Sequence, residues 1–292
     1  VLGWDNIVGK AATKGTITHK ILEVLADAKL AEQNGIAEIN NDIAGILKVA
    51  DLRTEEFIDE IHNKSFAYYQ ETEQPSLTDK ELRETRRWVK KVIDEGFYDP
   101  RNLDIMFPEQ KFDLPIEQDW AKLPNGQYLR IRGTIDLTIK NGDGLEILDW
   151  KTGKRRDWVK ACYKTQDMLN DDFQLRLYHY AIRKMHPEIE NILVTIHYIN
   201  DGGPATVAFD DSSLEITERK MHDQFVRIKN CTHPTLKNTW FCNRVCSYGK
   251  HHVGKQTQCA FIKTKLRRND ISTVAKRHTK KGFKIDYYEE PG

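Results

Sequence analysis

Asp136, Asp149 and Lys151 are the residues whose types and spacing could do chemistry. Asp149 and Lys151 stand two apart in Leu145-Glu-Ile-Leu-Asp-Trp-Lys151. On a strand they project to one side and Trp150 to the other. Asp136 lies in Gly133-Thr-Ile-Asp-Leu137. Each acid interrupts an apolar run that otherwise reads as a buried strand, where an unpartnered charge is costly, so each calls for a metal or an ion partner. Two carboxylates that can share a divalent cation, beside an ammonium that reaches a phosphate or a bound water, suit phosphodiester hydrolysis. The plainer reading of Asp-x-Lys on a strand is a solvated, ion-paired face.

The elements that must position these residues follow from the pattern around them. Tyr128 to Ile139 alternates apolar and polar residues, Asn141-Gly-Asp-Gly144 supplies turn chemistry, and Leu145 to Trp150 resumes a strand, which makes a β-hairpin. Met106 to Ile116 reads as a strand leading into it, and carries Glu109 as a further candidate acid. Thr16 to about Gln33 reads as a helix with Ile17, Ile21, Leu22, Leu25 and Ala28 as its apolar stripe and His19 near its first turn. Beside two acids His19 would be a third ligand, favouring manganese over magnesium, against the alternative of a structural histidine.

Asp167 to Met185 is expected to be one helix, placing Gln174 and Tyr178 four apart on one face. An amide and a phenol so aligned could bond a phosphate or orient the lysine, and Arg176 and His179 could touch a nucleic-acid backbone. Strands at Asn191 to Asn200 and Ala205 to Phe209, joined at Gly202-Gly-Pro204, precede a helix over Ser212 to Asn230. The order is that of an α/β protein with a mixed sheet. From Asn41 to Gly96 the chain reads as a helical insert, with a capping box at Thr78-Asp-Lys-Glu81 and a stop at Gly96. Its basic runs at Arg83 to Arg87 and Lys90-Lys91 read as an exposed helix face, and Glu146 reads as outward-facing.

Gly133-Thr-Ile-Asp136, a short hairpin, then Ile147-Leu-Asp-Trp-Lys-Thr-Gly153 resembles the core motif of the PD-(D/E)XK nucleases. Gly15-Thr-Ile-Thr-His19 upstream and Gln174-Leu-Arg-Leu-Tyr178 downstream are similar to the two further elements of the RecB-like branch, a phage and bacterial exonuclease type that includes CRISPR-adaptation and AddB-type nuclease domains. The resemblance implies a restriction-endonuclease-like mixed sheet flanked by helices, with residues 1–40 as the first core helix and 105–230 as the nuclease core; its motifs run from Gly15 to about Tyr178, and the residue pattern alone reads 41–104 as a helical insert and 231–292 as a basic C-terminal region. It implies Asp136, Asp149, His19 and the Trp150 carbonyl as ligands of Mg²⁺ or Mn²⁺, with Lys151, Gln174, Tyr178 and Glu109 as catalytic partners.

At 292 residues, 39% hydrophobic and 30% charged, the composition is that of an ordinary globular chain. No apolar run would cross a bilayer and the start shows no secretory pattern, so an intracellular setting is expected, cytoplasmic, host-cell or organellar. Five cysteines, four of them after residue 230, fit a reducing compartment and a local metal site. Cys231, Cys242, Cys246 and Cys259 could ligate a 4Fe-4S cluster or Zn²⁺, or remain unligated thiols. The resemblance favours the cluster, but its usual N-terminal cysteine has no counterpart before Cys162.

Charge is distributed unevenly. Arg227 to Lys284 holds fifteen Lys or Arg and one acid, a net +14 in a chain whose total is +1. Interleaved aromatics (Trp240, Phe241, Tyr248, Phe261, Phe283) favour a polyanionic partner over a merely solubilising tail. Lys263, Lys265, Arg267, Arg268, Lys276, Arg277, Lys280 and Lys281 are its expected nucleic-acid contacts. The expected function is a divalent-metal-dependent DNA exonuclease acting on single strands or duplex ends, in recombination, repair or DNA processing, with a recombination, repair or helicase protein as partner. The alternatives are a structure-specific endonuclease on the same core and a non-catalytic nucleic-acid-binding or assembly subunit.

Overall fold

The computed structural model describes residues 9–72, 77–157 and 160–231. In chain order it shows α1 (Lys10–Gln33), β1 (Glu38–Asn41), β2 (Gly45–Lys48), α2 (Glu55–Thr72), α3 (Asp79–Glu95), β3 (Ile105–Pro115), β4 (Arg130–Asn141), β5 (Gly144–Lys151), β6 (Arg156–Asp157), β7 (Cys162–Tyr163), α4 (Gln166–Asn170), α5 (Phe173–Met185), β8 (Ile192–Tyr198), β9 (Gly203–Ala208) and α6 (Ser212–Lys229). The α/β architecture with a mixed sheet flanked by helices is the expected one.

The central sheet runs β3-β4-β5-β8-β9. Only β5 and β8 are parallel, because α4 and α5 cross between them; the other neighbours are antiparallel. The β4–β5 hairpin closes through Gly142 and Asp143 between the paired Asn141 and Gly144, with Gly142 at φ 61° supplying the left-handed position such a turn requires. β5 is the middle strand and is covered on both faces. Leu148 and Trp150 pack with Ile17, Ile21 and Leu25 of α1 and with Val89 and Val92 of α3. Leu145 and Ile147 pack with Val194, Ile196 and the α5 residues Leu175, Ala181 and Ile182.

Four local expectations are corrected. α1 starts at Lys10, six residues early, because Ala11 and Ala12 are strong helix formers; His19 therefore lies in its third turn rather than its first. Asn41–Lys48 lies within a small hairpin rather than a helix. The Asn41 side chain accepts from the Ile43 and Ala44 amides and Gly45 takes φ 70°, a turn chemistry that competes with helix. The helix expected over Asp167 to Met185 is broken at Asp171–Asp172, since Asp172 Oδ1 accepts from the Gln174 amide and caps α5 afresh. Glu146 faces inward at 6% exposure, taking hydroxyl bonds from Tyr98 and Thr195, both 2.6 Å, and an amide bond from Asn141. The capping box and stop of α3 are as expected: Thr78 and Glu81 bond reciprocally and Gly96 is left-handed. Of its basic residues, Arg86 is ion-paired with Asp59, Lys90 with Glu55 and Lys91 with Glu95.

Candidate active site

The site forms where β4 and β5 part. Their last backbone pair is Leu137↔Leu148, so Asp136 and Asp149 stand one step beyond it, on the two arms of a fork. Asp136 Oδ2 accepts the Trp150 amide at 2.9 Å, replacing the acceptor that β4 no longer supplies. The Lys151 carbonyl accepts from Ile199 on the β8 side. Alternation along the strand therefore turns the backbone groups of Trp150 toward the fork.

Asp149 is 2% exposed. Lys151 Nζ donates to its Oδ1 at 2.9 Å and lies 2.7 Å from Oδ2. From α5, the Tyr178 hydroxyl donates to Oδ1 at 3.3 Å, and Gln174 Nε2 donates to Oδ1 at 3.4 Å and to the Tyr178 hydroxyl at 2.7 Å. The other oxygen, Oδ2, is buried and accepts no well-aligned hydrogen bond among the described residues. Burial raises the Asp149 pKa, Lys151 opposes that, and the Asp136 charge adds to it. Burial followed by the Asp149 charge likewise pushes the Tyr178 phenol up, so it stays a neutral donor.

His19 arrives from α1, its Nδ1 3.3 Å from Asp136 Oδ2. Burial works to lower its pKa, but Asp136 and then Asp149 outweigh burial and the net shift is upward. Gly15, one helical turn earlier, permits close approach of the chain after Lys151: a Cβ there would lie 3.3 Å from Thr152 Oγ1. Glu109 holds φ 42°, unusual for a residue with a side chain, between pairs Pro108↔Leu137 and Gln110↔Ile135 whose register sets it across from Asp136. His19, Glu109 and Lys151 line one cleft of about 490 Å³ with Gly15, Lys20 and Glu23.

The acids Glu23 and Asp27 were missed in the sequence. They follow His19 at four-residue steps on one helical face, the signal that could have found them. Burial and then, for Glu23, the Glu109 carboxylate raise them to about 7 and about 6, although Lys20 Nζ lies 2.5 Å from Glu23. His179 is not a backbone contact: it is 1% exposed beside Phe209. Arg176 is half-buried on the same ring, 5.3 Å from its centroid, because α5 turns these residues into the α6 side of the layer.

The profile of the PD-(D/E)XK nuclease superfamily matches residues 5–250. The chain belongs to this superfamily. Two solved structures are similar to the chain at low identity. The crystal structure of SSO0001 shares 12% identity over 85% of this chain and 86% of that one, with TM-score 0.30. A "putative exonuclease" from Eubacterium rectale shares 11% over 74% and 84%, with TM-score 0.37. No curated protein matches the chain.

PD-(D/E)XK nucleases usually use Mg²⁺ or Mn²⁺. Among the described residues no ready-made cage of three His, Cys, Asp or Glu is present, and Lys151 and Trp150 bond oxygens of the two aspartates. The donor set nevertheless fits such a cation: two carboxylates and an imidazole, with the buried Asp149 Oδ2 held by an ion pair to Lys151 rather than by a well-aligned hydrogen bond. Cys231 is exposed and free of a disulfide. Cys242, Cys246 and Cys259 lie outside the described residues, as do Lys263, Lys265, Arg267, Arg268, Lys276, Arg277, Lys280 and Lys281. The described residues thus give no support to an iron–sulfur or zinc site. They contain no helix long and apolar enough to cross a membrane.

Proposed function

We propose that this nuclease-superfamily chain is a divalent-metal-dependent DNA exonuclease of the RecB-like branch, processing ends in recombination or repair. One observation carries the reading: the upstream His19 element and the downstream Gln174/Tyr178 element, 155 or more residues apart in sequence, both end on the Asp136–Asp149 fork. Asp136, Asp149, His19 and the Trp150 carbonyl are its metal ligands. When bound, Mg²⁺ or Mn²⁺ supplies Lewis-acid charge and lowers the pKa of a coordinated water.

The chain's own residues do the rest. Lys151, held by Asp149, places a positive charge beside the nucleophile and the phosphoryl oxygens, where negative charge grows in an in-line displacement. Tyr178 and Gln174 fix the Asp149 carboxylate from the opposite side, Gln174 placing one amide hydrogen on Asp149 and the other on the Tyr178 hydroxyl. Nothing in the constellation is a nucleophile poised for covalent attack, so water is the attacking group.

The test is cleavage of end-labelled linear and closed-circular single-stranded DNA with Mg²⁺, Mn²⁺ or EDTA, by wild type and Asp149→Ala. Metal-dependent loss of linear DNA alone, absent in the variant, supports the proposal. Cleavage of the circle makes the enzyme an endonuclease on the same core. Failure to cut either substrate, or full activity in the variant, removes the mechanism.

A further inference from the structure

Directly after Lys151 the chain carries Lys154, Arg155, Arg156, Lys160 and Lys164 against the single acid Asp157. These residues build the β6–β7 hairpin, which is fastened to the catalytic strands by specific bonds. The Arg155 amide donates to Asp201 Oδ2 at 2.8 Å and its Nε to the Lys164 carbonyl at 3.0 Å. Its guanidinium lies over the rings of Tyr163, 5.1 Å away, and Tyr198, 6.0 Å away. Tyr198 is the register partner of Lys151 on the neighbouring strand.

A second tie runs to α5. Lys164 Nζ lies 2.9 Å from Asp172 Oδ2, while Asp172 Oδ1 accepts the amide of Gln174, the residue that also touches Asp149. Gly202, at φ 91°, leaves the room that the Tyr163 hydroxyl occupies; a Cβ there would meet it at 2.3 Å. The hairpin is therefore braced at both ends to neighbours of Lys151 and Gln174, the residues that bond the buried Asp149.

What the hairpin presents outward is cationic and aromatic. The Lys154 and Lys160 side chains are exposed and form no salt bridge among the described residues, although the Lys160 amide donates to Asp157 Oδ1. Tyr163 is 50% exposed although Arg155 lies against its ring. Exposed ammonium groups on the same hairpin as a half-exposed ring match a single strand, whose phosphates and unstacked bases alternate. A duplex keeps its base faces stacked and offers no partner for the ring.

We propose that the β6–β7 hairpin is the grip for a single strand of nucleic acid next to the cleavage site, with Lys154 and Lys160 on successive phosphates and Tyr163 stacked on a base. The proposal rests on the nuclease reading and names the substrate form that site takes. Its rigid ties to Asp172 and Asp201 fix the register between the gripped nucleotides and the phosphate at Asp149.

Binding of a labelled 20-nucleotide oligo(dT) by the full chain in EDTA, followed by anisotropy across a salt series, tests it. Each phosphate contact on a single strand adds about 0.7 to the slope of log K against log salt. Lys154→Ser/Lys160→Ser should lower the slope by about 1.4, and Lys48→Ser/Lys140→Ser, an exposed pair elsewhere, should leave it unchanged. Tyr163→Ala should weaken binding by about fivefold to 150-fold, the range of one base stack, with Tyr163→Phe within about twofold of wild type. An unchanged slope in the first pair, an equal fall in the control pair, or Tyr163→Phe losing as much as Tyr163→Ala overturns the proposal. Wild-type cleavage with Mg²⁺ or Mn²⁺ is read separately, so loss of the grip is distinguishable from absence of nuclease activity.

Discussion

The Asp136 carboxylate takes the amide of Trp150 at 2.9 Å and thereby stands in for the β4 backbone at the point where the hairpin opens. One side chain holds the fork together and supplies a ligand inside it. The two roles separate by substitution. Asp136→Asn keeps a carbonyl oxygen for the amide, so urea unfolding in EDTA should stay close to wild type. Asp136→Ala leaves the amide without its partner and should cost about 1–3 kcal/mol. Both should lose cleavage by at least about 100-fold, since even the outer partners of metal ligands cost 10- to 100-fold. Equal stability of the two variants would falsify the structural half of this account.

Asp149 is a charge the fold tolerates for function. Its pKa is raised, chiefly by burial, so the folded state resists ionising it at any pH above the ordinary carboxylate range of about 4. Asp149→Asn mimics the neutral form and should raise the melting temperature in EDTA at pH 7.5, with the gain vanishing below pH 4. Mn²⁺ at 100 times its dissociation constant should stabilise wild type by about 2.7 kcal/mol and the variant by far less. A variant that melts below wild type in EDTA would show that the Lys151 pair outweighs desolvation.

Glu23 and Glu109 meet across the cleft, and Glu23 favours keeping its proton. The folded-state carboxyl of Glu23 is raised to about 7 by burial and then by Glu109, against Lys20. Between about pH 4.5 and 7 the folded state therefore holds more protons than the unfolded one, and stability falls as pH rises through that window. Glu23→Gln should stabilise the metal-free protein at pH 8 by about 1–3 kcal/mol and change little at pH 4.5. Chemical denaturation at the two pH values decides it; destabilisation at pH 8 would mean that the Lys20 ion pair dominates.

The elements that carry the chemistry were legible because their signals are local. Alternation plus Asn141-Gly-Asp-Gly144 yields the hairpin, and a four-residue spacing puts Gln174 and Tyr178 on one face of α5. What was not legible depends on what covers each face. Glu146 alternates correctly with Asp149 on β5, yet the face it occupies lies under Tyr98 and Thr195, so it is buried rather than outward. Glu23 and Asp27 look like ordinary exposed acids of a long helix until β3 brings Glu109 against them. The Arg155 stack needs Tyr163 and Tyr198, the latter 43 residues away across a parallel crossover that no local pattern specifies.

His179 sets an acid limit on the fold from the far side of α5. Burial and then the Arg183 charge lower its pKa to about 4, so the ring is neutral in the folded state and charges in the unfolded state near 6.5. Between those values the unfolded chain binds the extra proton, and stability present above pH 6.5 is lost as pH falls, by about 3 kcal/mol in full. Glu23 acts in the opposite direction over much of the same range, so the wild-type profile alone cannot isolate either group. The difference between wild type and His179→Leu can. In metal-free urea unfolding the variant should lose less stability than wild type from pH 7 to pH 4.5, by about 2–3 kcal/mol, whatever its offset at pH 7. Parallel acid limbs in the two proteins would mean that His179 charges without leaving its pocket beside Phe209.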